Sequence, residues 1–339
     1  MTDFGVDLGS ARTVIVSGKQ VLLNEPSVIA IETHTGEPVA FGQEAYEMIG
    51  RTPDRITALC PIERGVIADY DVVELLAKHF LSKVSANRML KPRVMVSMPS
   101  GVTAVQHRSV IDAFTAAGAR NVCMIEAPVA AAIGNDVDFT SPRGTIIVDV
   151  GAGTTDVAVL SMGGLAKCES ARVAGCDFDD AITRYVRKEC NVLIGPRTAE
   201  NIKKTIGCVT ERPFELAMTA KGRNLFTGLP QAFEITASQV CTAVADTANA
   251  ICKAVQSVLE NTPPELIGDI ITDGVLLSGN GSLIRGFDEY LAHYTHIKVR
   301  RAPEPKLCVA FGTGRALRNM DLLKNGDYAF RTLQDLAIE

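Results

Sequence analysis

The sequence lacks tryptophan, any C-x-x-C pair, a long apolar run and an excess of basic residues. No stretch of about 18 apolar residues could span a membrane. The first predicted strand begins so near the N-terminus that we expect neither a leader nor an amphipathic anchor helix. Lys and Arg number 34 against 39 Asp and Glu, which gives a net charge of −5. This balance argues against nucleic acid as a partner.

The composition predicts a globular protein of the cytoplasm. Of the 339 residues, 47% are hydrophobic and 22% are charged. This length exceeds that of a usual single domain, so we expect two. The nine cysteines are scattered, and most fall within apolar runs, which is typical of buried thiols in a reducing compartment.

A strand–turn–strand pattern at Thr145–Ser161, TIIVDVGAGTTDVAVLS, is the central feature of the chain. A β-branched run leads to Asp149, Gly151-Ala152-Gly153 permits a tight turn, and an alternating run returns. Such a turn presents main-chain N–H groups and the hydroxyls of Thr154 and Thr155, which suit a phosphate. Asp149 could hold Mg²⁺ through its water shell. An ordinary hairpin whose Asp favours the turn explains this stretch equally well.

The N-terminal stretch Phe4–Val16 repeats this design, with Asp7 and Gly9 in the places of Asp149 and Gly151. A repeat of half-chain period is expected of a duplicated domain. Together the two stretches predict phosphate-binding hairpins that face each other across a cleft. Asp7 and Asp149 would then converge on one metal ion, as a polyphosphate requires.

The order of predicted elements indicates two duplicated α/β domains, each with an inserted subdomain. Residues 20–31 are expected to give two strands that complete a small N-terminal sheet, whereas 32–64 and 179–240 depart from the core pattern. The predicted boundaries are 1–31, 65–143 and 309–339 for the first core, 32–64 for its insertion, 144–178 and 241–308 for the second core, and 179–240 for its insertion.

Glu126 ends a predicted buried strand, Val122–Glu126, just before Pro128 and an alanine-rich helix. It could simply be a carboxylate at a helix N-terminus, where the helix dipole favours it. Alternatively, it orients the water that attacks a terminal phosphate, because the phosphate hairpins should end on the same side of the sheet.

Two further patterns also allow two interpretations. Glu200 and Lys203 lie one turn apart on a predicted helix, where they could form a solvated ion pair or contact a ribose and adenine. Gly279-Asn280-Gly281 follows a predicted strand, and we expect it to open a helix that offers a platform to an anion or nucleobase. A lone Gly-x-Gly is weak support for such a site.

Met89 and Leu90 are two bulky apolar residues in a polar loop that also carries Arg88, Lys91 and Arg93. They could cap the core. Alternatively, an apolar tip with basic neighbours is typical of a loop that dips into an anionic membrane surface.

Many segments, in one order between about residues 4 and 323, resemble MreB, the bacterial actin-like rod-shape family: DLGSARTVIV, VLLNEPSVIAI, GVIADYDV, KPRVMVSMPSGVT, IEAPVAAAIG, VDVGAGTTDVAVLSMGG, VLIGPRTAENIKKTIG, TGLP, TPPELIGDII and CVAFGTGRAL. The resemblance implies an actin-like ATPase fold and slow ATP hydrolysis coupled to polymerisation. It also implies filaments at the inner face of the cell membrane that position cell-wall synthesis. The implied cofactors are ATP and Mg²⁺. The implied partners are other copies of the chain, the anionic membrane surface and wall-elongation proteins such as MreC and RodZ-like proteins.

The same resemblance assigns residues. The implied nucleotide contacts are Asp7, Gly9, Ser10, Ala11, Arg12, Thr13, Gly151, Ala152, Gly153, Thr154, Thr155, Glu200, Lys203, Gly279, Asn280 and Gly281. The implied catalytic residues are Glu126 and Thr155, the Mg²⁺ site comprises Asp7 and Asp149, and the membrane loop comprises Met89 and Leu90.

Some positions depart from the family pattern. Its Glu-Glu-Pro is Glu126-Ala127-Pro128 here, its Gly-Gly-Gly turns carry Ala152 and Asn280, and an Asp that often follows Gly175 is Cys176. A β-carbon at Ala152 is tolerated if its φ is negative. These departures suggest a divergent paralogue, for example of the Mbl type.

Two other functions would use the same scaffold. A sugar-type kinase would need a general-base Asp and a cleft lined with Asn, Asp and aromatic rings, and no such cluster stands in the sequence. A monomeric chaperone-like or adaptor ATPase would normally carry an extra substrate-binding domain, for which we expect no room after the core.

Overall fold

A computed structural model of the chain describes residues 3–85 and 91–318. The strands of these ranges are β1 (Asp3–Leu8), β2 (Arg12–Ser17), β3 (Gln20–Pro26), β4 (Ile29–Glu32), β5 (Pro38–Phe41), β6 (Ile56–Leu59), β7 (Ile62–Glu63), β8 (Val66–Ile67), β9 (Arg93–Met98), β10 (Asn121–Glu126), β11 (Thr145–Val150), β12 (Thr155–Ser161), β13 (Gly164–Ala171), β14 (Val192–Leu193), β15 (Ala217–Asn224), β16 (Pro230–Thr236), β17 (Val275–Ser278) and β18 (Val299–Arg301). The helices are α1 (Gly42–Met48), α2 (Tyr70–Val84), α3 (Ala104–Ala116), α4 (Ala127–Gly134), α5 (Gly175–Glu189), α6 (Pro196–Ile206), α7 (Ala237–Glu260), α8 (Pro264–Asp273), α9 (Phe287–Thr295) and α10 (Cys308–Arg318).

Two five-stranded sheets share one topology. The first has the order β3-β2-β1-β9-β10 and the second the order β13-β12-β11-β17-β18. In each sheet the first three strands form an antiparallel meander and the last two join in parallel. The central strands are near-continuous apolar runs because helices cover both faces of such a sheet. The predicted duplication of an α/β domain is thus present in the structure.

The two sheets meet through α4 and α10. One cluster of buried side chains joins Met95 of the first sheet to Ile147 and Leu276 of the second, with alanines of both helices between them. The helices lie in backbone contact, since a β-carbon at Gly312 would stand 1.7 Å from the carbonyl oxygen of Ala130. Position 312 therefore requires glycine for close approach.

Each half carries a small inserted sheet. The first insertion has the order β5-β4-β6 and the second has the order β14-β15-β16. The expectation that residues 20–31 form a single N-terminal sheet is wrong for β4, which pairs with β5 and β6. The reason is local. Pro26 ends β3, and the N–H of the next residue, Ser27, donates a hydrogen bond to the carbonyl of Ala11. The predicted domain boundaries remain a prediction.

The glycine turn after β17 also differs from its expectation. A single 3-10 turn, Gly281–Leu283, stands where a helix was expected, and α9 begins only after Gly286, at a φ of 80°. Helix α3 begins at a clear local signal, because its N-cap Thr103 forms a capping box with Gln106. None of the helices in the described ranges is long and apolar enough to cross a membrane.

Candidate functional site

Two mirrored turns stand at corresponding ends of the two sheets. Loop 1, residues 9–12, closes with a 3.1 Å bond from the N–H of Gly9 to the carbonyl of Arg12. Loop 2, residues 151–154, closes with a 2.9 Å bond from the N–H of Gly151 to the carbonyl of Thr154. The flanking strands have the same register in both hairpins. The two predicted hairpins are therefore equivalent parts of a duplicated structure.

One aspartate precedes each loop, and a serine of the neighbouring parallel strand holds it. Ser97 of β9 stands opposite Asp7 and donates a 2.8 Å hydrogen bond to its Oδ1. Ser278 of β17 stands opposite Asp149 and donates a 2.6 Å bond to its Oδ1. Each serine fixes the rotamer of its carboxylate and leaves the other oxygen for a further partner.

Asp7 and Asp149 are both buried carboxyls, and their charges interact. Burial raises the pKa of Asp7 to about 6 despite the Ser97 hydrogen bond. Burial also raises the pKa of Asp149 to about 7, and the charges of Asp156 and Asp7 contribute to this rise. Carboxyls held in this way favour a bound cation, which would restore their ionised form. Within the described ranges no three His, Cys, Asp or Glu residues cluster as a metal site, so waters and phosphate oxygens would complete the coordination.

The two loops are in direct contact. A β-carbon at Gly153 would lie 2.6 Å from the Oγ of Ser10 and 2.8 Å from the Cα of Arg64. The N–H of Gly65 in turn donates a 3.1 Å bond to the Oγ of Ser10. The segment Arg64-Gly65 therefore connects loop 1 to loop 2, and Gly153 is required for this close approach.

Two glycines, with a third packed on the preceding residue, bring the backbone close to the carbonyl oxygen of Gly151. A β-carbon would stand 3.0 Å from this oxygen at Gly175 and 2.5 Å at Gly281, while Gly279 has a φ of 85° and packs on Val150. Asn280 between them is exposed. Gly175 and Gly279 are buried and Gly281 is half-buried, so these turns, called the glycine surface below, require glycine because they pack on the backbone of loop 2. Their contact with a nucleoside stays a prediction.

The side chains of three predicted contact residues are hydrogen-bonded to other parts of the protein. The buried Oγ1 of Thr13 lies 2.8 Å from the Oγ of Ser27, and the buried Oγ1 of Thr155 donates a 2.7 Å bond to the carbonyl of Val173. The hydroxyl of Thr155 therefore helps to hold β12 in place, and its predicted catalytic role stays a prediction. Arg12 donates to the side chain and carbonyl of Asn24, so only its backbone serves loop 1.

Glu126 ends β10, beside the end of the strand next to Asp7. It is half-buried, and its charge contributes to raising the pKa of Asp156 to about 6, of which burial is the main cause. Asp156 is buried and accepts bonds from the N–H of Ser100 at 2.9 Å and from Thr154 Oγ1 at 3.0 Å. The charges of two carboxylates from different halves thus interact near loop 2.

Glu200 and Lys203 do not pair with each other. Lys203 donates to Asp179 and to the carbonyl of Gly175, both at 2.7 Å. Glu200 binds Lys204 at 2.6 Å and accepts a short hydrogen bond from Tyr46. The simple ion-pair interpretation of this helix is therefore wrong, and Lys203 is fixed at the start of α5, beside the glycine surface.

Tyr46 and Glu200 belong to different halves of the protein, on α1 and α6. The guanidinium of Arg197, also on α6, lies 5.2 Å from the ring centre of Tyr46 and donates a 3.0 Å bond to the carbonyl of Glu47. The two insertions therefore touch across the cleft. The predicted membrane residues Met89 and Leu90 lie outside the described residues.

Sequence reasoning missed Ser97, Ser278, Asp156 and Asp179. A signal was present for the serines, since each is a single hydroxyl residue near the end of an apolar strand. Asp156 was also detectable as a charged residue inside an otherwise apolar strand. Asp179 carried no signal, because an acidic residue on an amphipathic helix is ordinarily solvated.

The duplicated sheets, the mirrored loops and the glycine surface between them define an actin-like nucleotide-binding fold. Residues 1–325 match the family described as MreB/Mbl protein. The cell shape-determining protein Mbl of Bacillus cereus is 41% identical over 323 residues, covering 95% of this chain and 97% of the relative. MreB of Escherichia coli K12 is also 41% identical, over 327 residues and 94% of each chain. The chain belongs to the MreB/Mbl family.

Solved structures agree with this assignment. MreB5 of Spiroplasma citri bound to ADP superposes with a TM-score of 0.89 at 36% identity, covering 95% of this chain and 97% of that one. The MamK double helical filament superposes with a TM-score of 0.79 at 19% identity, covering 93% and 98%. The second likeness concerns the fold alone. The predicted actin-like fold and family are thus confirmed, and equal identity to Mbl and MreB leaves the Mbl-type suggestion a prediction.

Proposed function

We propose that this chain binds ATP with Mg²⁺ between loops 1 and 2 and hydrolyses it slowly as part of filament assembly. The observation that carries the proposal is the pair of serine-held aspartates, Asp7 and Asp149, whose carboxyls interact across the cleft. A bound Mg²⁺ would neutralise charge on the phosphate oxygens. The nucleotide-bound state of Spiroplasma citri MreB5 is consistent with this site.

Each part of the site would have its own role in binding or hydrolysis. Main-chain N–H groups of loops 1 and 2 face the phosphates. Lys203, held by Asp179, and the glycine surface at Gly175 border the nucleoside. Glu126 orients the attacking water at the open side of loop 2, and Asp156 anchors Thr154 so that the loop keeps its shape.

We further propose that the chain polymerises, lies against the inner face of the cell membrane and helps to set rod shape by positioning wall synthesis. The names of its relatives, cell shape-determining proteins Mbl and MreB, support this role. The resemblance of the Met89-Leu90 segment to a membrane loop supports the location. MreC and RodZ-like proteins are the partners that the resemblance implies.

Nucleotide-dependent pelleting of the full chain tests the proposal. Protein with ATP and Mg²⁺ should sediment, protein with EDTA should stay in the supernatant, and anionic vesicles should increase the pelleted fraction. Asp149→Ala should lose Mg²⁺-dependent ATP binding in calorimetry, whereas the exposed Asp71→Ala should retain it. A chain that stays in the supernatant under every condition, as a kinase or monomeric adaptor would, contradicts the proposal.

A further inference from the structure

A pocket of about 510 Å³ lies where the two insertions meet. Tyr46 and Arg51 line it from the first insertion, and the charged residues that line it from the second are Arg197, Glu200, Lys204 and Lys221. Sites for small molecules ordinarily measure about 300–1,000 Å³. The pocket is therefore large enough for a metabolite, and both halves of the protein contribute to it.

This pocket is separate from the proposed nucleotide site. Of the described residues that line it, none belongs to loop 1, loop 2 or the glycine surface. Helix α6 lies between the two sites. Its Lys203 turns to Asp179 and to the carbonyl of Gly175, whereas Lys204 pairs with Glu200 on the side of the pocket. A ligand in the pocket would thus leave the space between the two loops free.

The lining of the pocket is cationic, although the chain as a whole carries a net charge of −5. Among the described residues, the basic side chains of the lining are Arg51, Arg197, Lys204 and Lys221, and its one carboxylate is Glu200. Glu200 is already paired with Lys204 at 2.6 Å. Three positive charges therefore have no counter-charge in the lining, and this local excess favours an anionic ligand.

Most hydrogen-bond donors of these side chains are unused. Within residues 3–85 and 91–318, the side chains of Arg51 and Lys221 form no hydrogen bond or ion pair. Arg197 donates one bond, to the carbonyl of Glu47 at 3.0 Å, which leaves four of its five N–H donors. Guanidinium and ammonium groups with free donors, placed on two walls of one pocket, suit phosphate oxygens.

The charge and the volume of the pocket indicate how many phosphates it would hold. One phosphate group carries about −1.5 to −2 at pH 7, which is less than the positive charge of the lining, whereas two or more groups match it. The half-buried Met218 and the buried Ala220 add an apolar surface for the carbon skeleton of a metabolite. An acidic peptide would bring a bulky backbone with its carboxylates, so a compact polyphosphate matches this charge in less volume.

We propose that this pocket binds a small molecule with two or more phosphate groups, which contacts Arg51 and Lys221 together. These two residues belong to different halves of the protein. A ligand that contacts both binds the closed cleft more tightly than the open one and shifts the equilibrium towards closure. A nucleotide between the loops then leaves more slowly. Binding in the pocket does not depend on the proposed ATPase function, whereas this effect on the nucleotide rests on it.

Calorimetric titration of the full chain with tripolyphosphate, in EDTA and without nucleotide, tests the site. Arg51→Gln and Lys221→Gln should each weaken binding by about tenfold, because each loses a hydrogen bond to a charged group. The controls are Arg55→Gln, in the same insertion as Arg51, and Arg223→Gln, on the same strand as Lys221. Both remove exposed arginines that do not line the pocket, and both should bind as the wild type does.

Two results of this titration would overturn the inference. In one, the wild-type protein binds no tripolyphosphate at about 1 mM. In the other, Arg51→Gln and Lys221→Gln bind it as their controls do, which would place the anion elsewhere, for example at loops 1 and 2.

A hexaglutamate peptide, titrated in parallel, decides the class of ligand. Tripolyphosphate should bind the wild-type protein more tightly than the peptide does. If the peptide binds more tightly, and Arg51→Gln and Lys221→Gln lose it, the pocket is a docking site for an acidic protein segment and the assignment to a phosphorylated small molecule is wrong.

Release of a preloaded fluorescent ADP analogue tests whether the ligand joins the two insertions. With Mg²⁺ in excess and unlabelled ADP as a trap, tripolyphosphate should slow release severalfold in the wild type but not in Arg51→Gln. An anion that competes for the nucleotide site cannot slow the departure of a molecule already bound there. Binding of tripolyphosphate without slower release would contradict the joint contact with Arg51 and Lys221. If the chain binds no ADP analogue, the proposed nucleotide site fails, and the titration alone decides the pocket.

Discussion

Ser278 Oγ donates a 2.6 Å hydrogen bond to Oδ1 of the buried Asp149, across two parallel strands whose residues stand opposite in register. Ser97 makes the same bond to Asp7 in the other half, at 2.8 Å. The duplication therefore extends from the sheets to individual hydrogen bonds. A carboxylate that is buried near a second carboxylate needs such a donor, because burying a charged group without a hydrogen-bond partner costs free energy.

Ser278→Ala should lower the free energy of unfolding by about 1–3 kcal/mol, since a buried carboxyl loses its donor. Urea unfolding of nucleotide-free protein measures this change. Ser109→Ala, which removes a hydroxyl bonded only to its own helix, should stay within about 0.5 kcal/mol of wild type. Equal stability of the two variants would show that the Ser278 bond contributes nothing.

Glu126→Gln should reduce ATP turnover by about 10²–10⁴-fold while nucleotide affinity stays unchanged, because an amide accepts no proton from the attacking water. Single-turnover hydrolysis and calorimetry measure the two quantities separately. Glu265→Gln, in the first turn of α8, is the matched control. Unchanged turnover in Glu126→Gln would remove this residue from the reaction.

Tyr46→Phe should speed the release of bound ADP by about tenfold, since it deletes the hydrogen bond to Glu200 that joins the two insertions. The phenyl ring keeps its place beside Arg197, so packing is preserved. Displacement of a fluorescent ADP analogue reports the rate, with Tyr70→Phe as the control. Identical rates in the three proteins would mean that this contact does not hold the cleft closed.

Asp179→Asn should change how stability depends on pH. Burial raises the pKa of Asp179 from 3.8 to about 6 despite Lys203, with Glu200 and Asp180 as further charged neighbours. The folded chain therefore binds this proton more tightly than the unfolded chain, and the contribution of Asp179 to stability falls as pH rises through about 6.

Urea unfolding of wild type and Asp179→Asn between about pH 5 and 7.5 isolates this contribution. The difference in unfolding free energy, wild type minus variant, should decrease with rising pH and level off above 7. Asp180→Asn, at an exposed neighbouring position, should show no such slope. A difference that is independent of pH would contradict the raised pKa.

Met89→Ser combined with Leu90→Ser should release the protein from anionic liposomes, because it removes the two apolar side chains of the proposed membrane contact. A flotation assay measures the bound fraction. Met162→Ser replaces an exposed methionine of the described residues and should float like wild type. Flotation of the double variant at the wild-type level would assign these residues to packing.

Local patterns were sufficient to predict the two hairpins, since each follows from periodicity and turn residues within about 20 positions, and their repeat at half-chain period indicated the duplication. A hydroxyl near the end of an apolar strand marked Ser97 and Ser278, but their pairing with the aspartates was not predictable because they lie 90 and 129 residues away in sequence. The bond from Thr155 to Val173 was also not predictable, because alternation along β12 does not tell which acceptor its hydroxyl meets. Similarly, β4 has the pattern of a strand whichever sheet it joins.

The contact between the insertions has an energetic consequence. The halves share a dense seam at α4 and α10, whereas at the far rim they touch through Tyr46, Arg197 and few other groups. Opening the rim should therefore cost much less free energy than separating the seam, and a molecule that binds one form more tightly would shift the ratio of open to shut forms. If subunits stack preferentially in one of the two forms, their polymerisation would depend on which molecule occupies the cleft.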